Sequence, residues 1–141
     1  MGLHEIVYAS IATRPMGRRD LSALLSDSRR VNAVLGITGL LVYHAGIFLQ
    51  LLEGERTALS TLYSVIAQDK RHQQVDKIWD AGLKTRSFSG WSMAFISPQR
   101  GFRPEGYVAL TSQTFFVHSQ DATGKKILLG LHDHLLHHDA S

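Results

Sequence analysis

Two nearly continuous apolar runs, Ile37-Thr38-Gly39-Leu40-Leu41-Val42-Tyr43 and Ile47-Phe48-Leu49-Gln50-Leu51-Leu52, are separated only by His44-Ala45-Gly46. A strand that is apolar at almost every position buries both of its faces, so these runs belong at the centre of a sheet with a packed layer on each side. A short gap containing glycine has the length and chemistry of a hairpin loop. The rest of the chain must therefore supply flanking strands and two covers.

Ile6-Val7-Tyr8-Ala9-Ser10 is short and β-prone, and the turn-rich Thr13-Arg14-Pro15-Met16-Gly17 follows it. Asp20 is placed as a helix cap. From Leu21 the apolar positions Leu24, Leu25, Val31 and Leu35 recur at spacings of three and four, which predicts a helix to about Val34 that stops at Gly36. Glu53-Gly54-Glu55 is expected to open a second helix, with carboxylates near its positive end, a buried face of Leu59, Leu62, Tyr63 and Ile66, and an end near Asp69. Val75 to Leu83 reads as a fourth strand and Trp91 to Ile96 as a fifth.

The order is βαββαββ, which predicts an α+β ferredoxin-like sandwich with both helices on one sheet face. The cover for the other face is expected from a C-terminal extension. There Lys125 to His138 carries the helical apolar stripe Ile127, Leu128, Leu131, Leu135 and Leu136, whereas Gly106 to Val117 suits neither strand nor helix clearly. The chain divides accordingly into a domain over 1–97 and an extension over 98–141.

A length of 141 residues suits one core, which buries roughly 70% of the unfolded surface, and leaves no room for a second catalytic domain. No apolar run approaches the ~18 residues of a membrane span, the N-terminus lacks a secretory pattern, and there is no Cys. The expected address is cytoplasmic. The net charge of +3 comes from interleaved charges, with Arg14, Arg18, Arg19, Arg29 and Arg30 the one cluster, too sparse for a nucleic-acid surface. His134 and His138 lie four apart, but Asp133 and Asp139 complete no ligand spacing, so no metal site is expected.

Polar residues interrupt this apolar layer at four places. Gln50 sits in a central strand on the face of Phe48 and Leu52, Tyr8 lies on the face of Ile6 and Ser10, and Ser28 and Asn32 break the stripe of the first helix. An unpartnered buried amide costs on the order of 1–3 kcal/mol, so these groups either satisfy one another or hold a planar polar ligand between apolar walls such as Leu24 and Ile66.

The residues also resemble a known family, the BLUF blue-light sensors that bind flavin adenine dinucleotide. The resemblance covers about residues 4 to 97. It rests on Val7-Tyr8-Ala9-Ser10, Asn32 with Leu35-Gly36-Ile37-Thr38-Gly39-Leu40-Leu41, Phe48-Leu49-Gln50-Leu51-Leu52-Glu53-Gly54, Asp69-Lys70-Arg71-His72, and Trp91-Ser92-Met93. It implies noncovalent FAD between the two helices, Tyr8 as photochemical electron and proton donor, Gln50 as the amide linking Tyr8 to the flavin, and Asn32 at the flavin carbonyl edge. Trp91 and Met93 resemble the pair on the fifth strand that responds to Gln50. Ser10, Leu24, Leu41, Ile66, Arg71 and His72 match positions that line the ring or meet the phosphate end, with Ser28 beside them. Val31 departs from the family, where a polar residue often stands next to the asparagine. The implied function is a sensor without enzymatic turnover that signals to a separate partner protein and forms homo-oligomers; the alternative is a ferredoxin-like regulatory module without chromophore.

Overall fold

The two apolar runs form the expected hairpin in a computed structural model, which describes residues 2–88, 94–96 and 128. Strand β2 (Thr38–His44) turns into β3 (Ile47–Glu55) over Ala45 and Gly46, whose φ values of 50° and 83° match the twist of the flanking strands. The other elements are β1 (Leu3–Ala12), α1 (Arg18–Leu35), α2 (Arg56–Gln68), β4 (His72–Leu83) and β5 (Ala94–Ile96). The sheet order is β4-β1-β3-β2-β5; the first four strands are antiparallel and β5 runs parallel to β2. This is the ferredoxin-like α+β arrangement, with the two strands of the apolar runs inside the sheet.

Strand alternation divides the core in two. On the helix face, Ile6, Tyr8, Leu41, Phe48 and Leu52 pack with Leu21 and Leu25 of α1 and Leu59 and Leu62 of α2. On the other face, Val7, Leu40, Val42, Leu49 and Leu51 pack with Phe88 and Leu128. Leu128, the one described residue beyond β5, is helical and fully buried. The remainder of the expected C-terminal stripe, the ambiguous stretch 106–117 and positions 91–93 of the expected fifth strand lie outside the described residues.

Two helix starts differ from expectation. The cap of α1 is Gly17 rather than Asp20; Asp20 lies three residues further on and its Oδ2 accepts the Gly17 N–H at 3.1 Å. At its other end Gly36 takes the left-handed conformation, φ 68°, which terminates the helix as read. The second correction is larger. Glu53, Gly54 and Glu55 do not open α2 but extend β3, in register with Glu5, His4 and Leu3 of β1, and α2 begins at Arg56. Carboxylates beside a helix start favour a helical reading, but the ladder to β1 satisfies these backbone groups two-dimensionally, which a local pattern cannot register. Strands β1 and β4 likewise run longer than their apolar segments because each pairs with the other along its whole length.

Candidate functional site

The sheet register brings the first two polar residues together. Tyr8 stands directly opposite Gln50, and Gln50 directly opposite Leu41, so all three form one row on the helix face. The Tyr8 hydroxyl donates to Gln50 Oε1. Both are buried, at 3% and 4% exposure. A register shift between Val7 and Tyr8 in the pairing with β4 sits at this row, a place where bulges re-aim side chains. Burial pushes the Tyr8 phenol well above its ordinary pKa, and negative charge at Asp69 and ionisation of Tyr63 would push it further. Tyr8 is therefore a proton-bearing donor, and an amide carbonyl is the group that receives its hydrogen bond.

Above this row a cleft opens between the helices. Leu24, Asp27, Ser28, Val31 and Asn32 line it from α1, and Leu62, Val65 and Ile66 from α2, each set at the three-and-four spacing of one helical face. Tyr8, Leu41, Phe48 and Gln50 form its floor, and Asp69, Arg71 and His72 of the α2–β4 turn complete it. Its cavity volume is about 110 Å³, and the cleft opens to solvent. Asn32 is only 1% exposed, so α1 carries a buried amide on this face where its other buried residues are Leu21 and Leu25.

The turn is held by charge. Arg71 Nε lies 3.1 Å from both carboxylate oxygens of Asp69, its Nη2 lies 2.7 Å from Oδ2, and its Nη1 reaches Asp27 of α1 at 3.3 Å. Chiefly through its hydrogen bond to Arg71, Asp69 is held below the usual carboxylate range. One guanidinium thus ties α1 to the α2–β4 turn. His72 is fixed on both sides: its Nε2 lies 2.5 Å from the Ile66 carbonyl and its Nδ1 2.8 Å from Ser10 Oγ. A carbonyl only accepts, so Nε2 carries hydrogen and donates to Ile66, which leaves Nδ1 facing the Ser10 hydroxyl. The ring then presents its edge to Tyr8 and to Phe48.

Of the residues singled out from the sequence, Tyr8, Leu24, Ser28, Asn32, Leu41, Gln50, Ile66, Arg71 and His72 line this one cleft. Ser10 does not; its Oγ lies 2.8 Å from Nδ1 of His72, and it is His72 that lines the cleft. Trp91 and Met93 lie outside the described residues. The reading of the sequence did not single out Asp27, Phe48, Leu62, Val65 and Asp69 as cleft residues, and gave Val31 only as a departure from the family. Asp69 heads a motif already noted, and its spacing of two from Arg71 was the available signal; Asp27 shares the helical spacing of Leu24, Ser28 and Val31, but its tie to Arg71, 44 positions away, left no local trace.

A cleft with aliphatic walls, a phenol and an amide at its floor and a second buried amide on α1 fits a flat, hydrogen-bonding ring. FAD has that shape and chemistry. The chain contains no Cys, so a cysteinyl adduct is excluded and the amides suit noncovalent holding. Such a site on such a sandwich defines a flavin-binding sensory module. Residues 3–94 match the family model of BLUF, sensors of blue-light using FAD, and the chain belongs to that family.

The relatives are light-regulated. The chain is 44% identical over 92 residues to the photoactivated adenylate cyclase subunit beta of Euglena longa, covering 64% of this chain and 11% of that protein. It is 39% identical over 86 residues to the alpha subunit of Euglena gracilis, covering 61% of this chain and 8% of that one. The chain thus spans only about a tenth of the length of these relatives. Among solved structures it is similar to the dark-state structure of BlrB, a BLUF protein, with TM-score 0.65 and 33% identity over 68% of this chain and 73% of that one. It is also similar to the ground state of BlsA, with TM-score 0.67 and 25% identity over 95% and 87% of the two chains. The protein is a member of a family of blue-light sensors that use FAD. No helix among the described residues is long and apolar enough to cross a membrane, and no three His, Asp or Glu there are grouped to hold a metal.

Proposed function

We propose that this chain senses blue light through Tyr8 and Gln50 and passes the signal to a separate effector protein. The observation that carries this reading is the buried Tyr8–Gln50 hydrogen bond on the floor of the cleft. FAD, when bound, supplies absorption of blue light and a ring able to accept an electron. Asn32 and Gln50 would hold its polar edge, Leu24 and Ile66 its faces, and Arg71 and His72 its phosphate end, with Ser28 and Leu41 filling the sides.

Tyr8 keeps its proton in the dark because it is buried. Loss of an electron makes a phenol a strong acid, and the Gln50 carbonyl is already in contact to receive the proton. The amide can release a proton from its nitrogen branch toward the ring, so the electron and the proton that leave Tyr8 would both be taken up there and both return on recombination. A Gln50 that emerges rotated or as the imidic tautomer offers a different set of donors and acceptors. Tyr8 and Gln50 are regenerated and no substrate is turned over.

The division of labour follows: residues 1–97 bind flavin, and residues 98–141 cap the second sheet face and carry output, with Trp91 and Met93 responding to Gln50. One switched hydrogen bond contributes about 0.5–1.5 kcal/mol, roughly a tenfold change in affinity, whereas driving an assembly from 1:99 to 99:1 requires ~5.5 kcal/mol. Several chains acting together would close that gap, so the protein works as a homo-oligomer. The chain itself is placed in the cytoplasm, and a light-regulated effector is in keeping with relatives whose names join light activation to adenylate cyclase.

The test is a light-minus-dark spectrum of the full chain with FAD, recorded alongside its size in solution. The expected result is a small reversible red shift accompanied by a change in assembly, with Leu131→Asp or Leu135→Asp retaining the first and losing the second. Assembly that still switches in those variants would remove the extension from the output path; a flavin-loaded protein without the shift would overturn the photochemical reading.

A further inference from the structure

On the sheet face opposite the cleft, Glu53 is fully buried, three positions along β3 from Gln50. Its Oε1 accepts the Phe88 N–H at 2.9 Å and the Thr38 hydroxyl at 2.9 Å, and its Oε2 accepts the Ser87 N–H at 2.6 Å. These two amides belong to the segment that leaves β4 and leads into β5. Its neighbour Arg86 fastens the same segment from the other side: Nη1 reaches Thr38 Oγ1 at 2.9 Å and the Glu53 carbonyl at 3.1 Å, and Nη2 reaches the Gly36 carbonyl at 2.9 Å.

The attachments are not scattered. Gly36 caps α1, the helix that carries Asn32, and the Ile37 N–H closes that cap on the Asn32 carbonyl at 2.8 Å. Glu53 belongs to β3, which carries Gln50. Residues 86–88 are thus tied to the ends of both elements that place an amide in the cleft. Phe88 then buries its side chain among Val7, Leu40, Leu49 and Leu51 in the same cluster as Leu128. A carboxylate is an unusual choice for this place. Glu5 stands opposite Glu53 in the register and is itself buried, accepting the Trp79 indole N–H at 3.0 Å. Burial, with the Glu5 charge adding to it, raises the Glu53 pKa despite the donors that lower it. Keeping an acidic group where ionisation is costly is intelligible if two backbone N–H groups need one rigid double acceptor.

We propose that Glu53 is a positioning residue for signal output: it clamps residues 86–88 to β3 so that a change at Gln50 is carried across the sheet to Phe88 and Leu128. The light-dependent half rests on Gln50 acting as proposed above; the clamp itself is testable in the dark.

Amide hydrogen exchange of the full chain with FAD separates the two. Glu53→Gln keeps the side chain's size but turns one of its two acceptors into a donor. In the dark, exchange at Ser87 and Phe88 is expected to accelerate about tenfold. In the light, the variant should keep the red shift and lose the light-induced exchange difference that the parent shows at 86–88 and around 128. Unchanged dark exchange at Ser87 and Phe88, or a difference around 128 that survives their release, overturns the proposal, as does a parent that shifts its spectrum without any difference at 86–88. A parent without a red shift instead counts against the photochemical reading, and dark exchange still decides the clamp. If Glu53→Gln fails to fold, Thr38→Val removes one partner each from Glu53 and Arg86 and is held to the same two readouts, with a smaller acceleration expected.

Discussion

The two faces of the sheet bury polar groups in opposite ways. On the helix face, Tyr8, Gln50 and Asn32 are neutral groups beside a cleft, and each can donate, accept, or exchange one role for the other. On the far face, Glu53 is a carboxylate whose oxygens are committed to two backbone amides and a hydroxyl. Gln50 and Glu53 come from the same strand, three positions apart. The contrast teaches that reversible chemistry is placed where partners can be exchanged, and mechanical attachment where they cannot.

The largest expected effect lies on the cleft side. Tyr8→Phe or Gln50→Leu should abolish the light-induced red shift while the flavin-to-protein ratio stays near that of the parent; a Tyr8→Phe protein with an intact photocycle would end the assignment. The matching change on the far face is Leu51→Ala, at a residue fully buried against Phe88 and Leu128. It should cost about 2–5 kcal/mol of unfolding free energy in urea titrations and leave the red shift of the folded fraction in place. Loss of stability from the first pair without spectral change, or the reverse, would erase the division between the faces.

A finer test stays within the cleft. Asn32→Ala should weaken flavin retention about tenfold, and Ser28→Ala much less, because an amide loses two directed hydrogen bonds and a helical hydroxyl can turn back to its own backbone. Equal flavin occupancy of the two purified variants would make Asn32 a structural residue only.

The smallest effect is in the pH dependence, where the two sides should have opposite signs. Asp69 has a folded pKa below its unfolded value, so its contribution is present above about pH 4 and is lost as pH falls through the lower folded value. Glu53 has a folded pKa above its unfolded value, so the folded form binds the extra proton and stability declines as pH rises from about 4.3 through the higher folded value. Unfolding curves of Asp69→Asn and Glu53→Gln against pH check both: the first should lose sensitivity on the acid side, the second should flatten the decline above it. A decline above about pH 4.3 unchanged by Glu53→Gln would show that proton uptake by Glu53 is not linked to folding.

How much of this was legible in the sequence depended on how local the cause was. The hairpin, the α1 stop at Gly36 and the cleft faces of both helices follow from periodicities of two and three to four residues, which the chain displays directly. Tyr8, Gln50, Ser28 and Asn32 stood out because each breaks such a period. The strand status of Glu53 and Gly54 was hidden, since it depends on hydrogen bonds to β1 about fifty positions earlier. Asp27 was hidden for the same reason, its role being created by Arg71.

The sequence by itself determined which residues are polar in an apolar layer, the two-faced character of β2 and β3, and, through five ordered motifs, the family. Tertiary structure alone decided that Tyr8 faces Gln50 rather than a neighbour, that Ser10 serves His72 instead of the cleft, and that the Glu53 carboxylate closes on residues 86–88. The physical reason is that side-chain period is a property of the chain, whereas register is a property of a pair of strands: sliding β1 by one residue against β3 would leave every sequence period unchanged and turn Tyr8 away from Gln50.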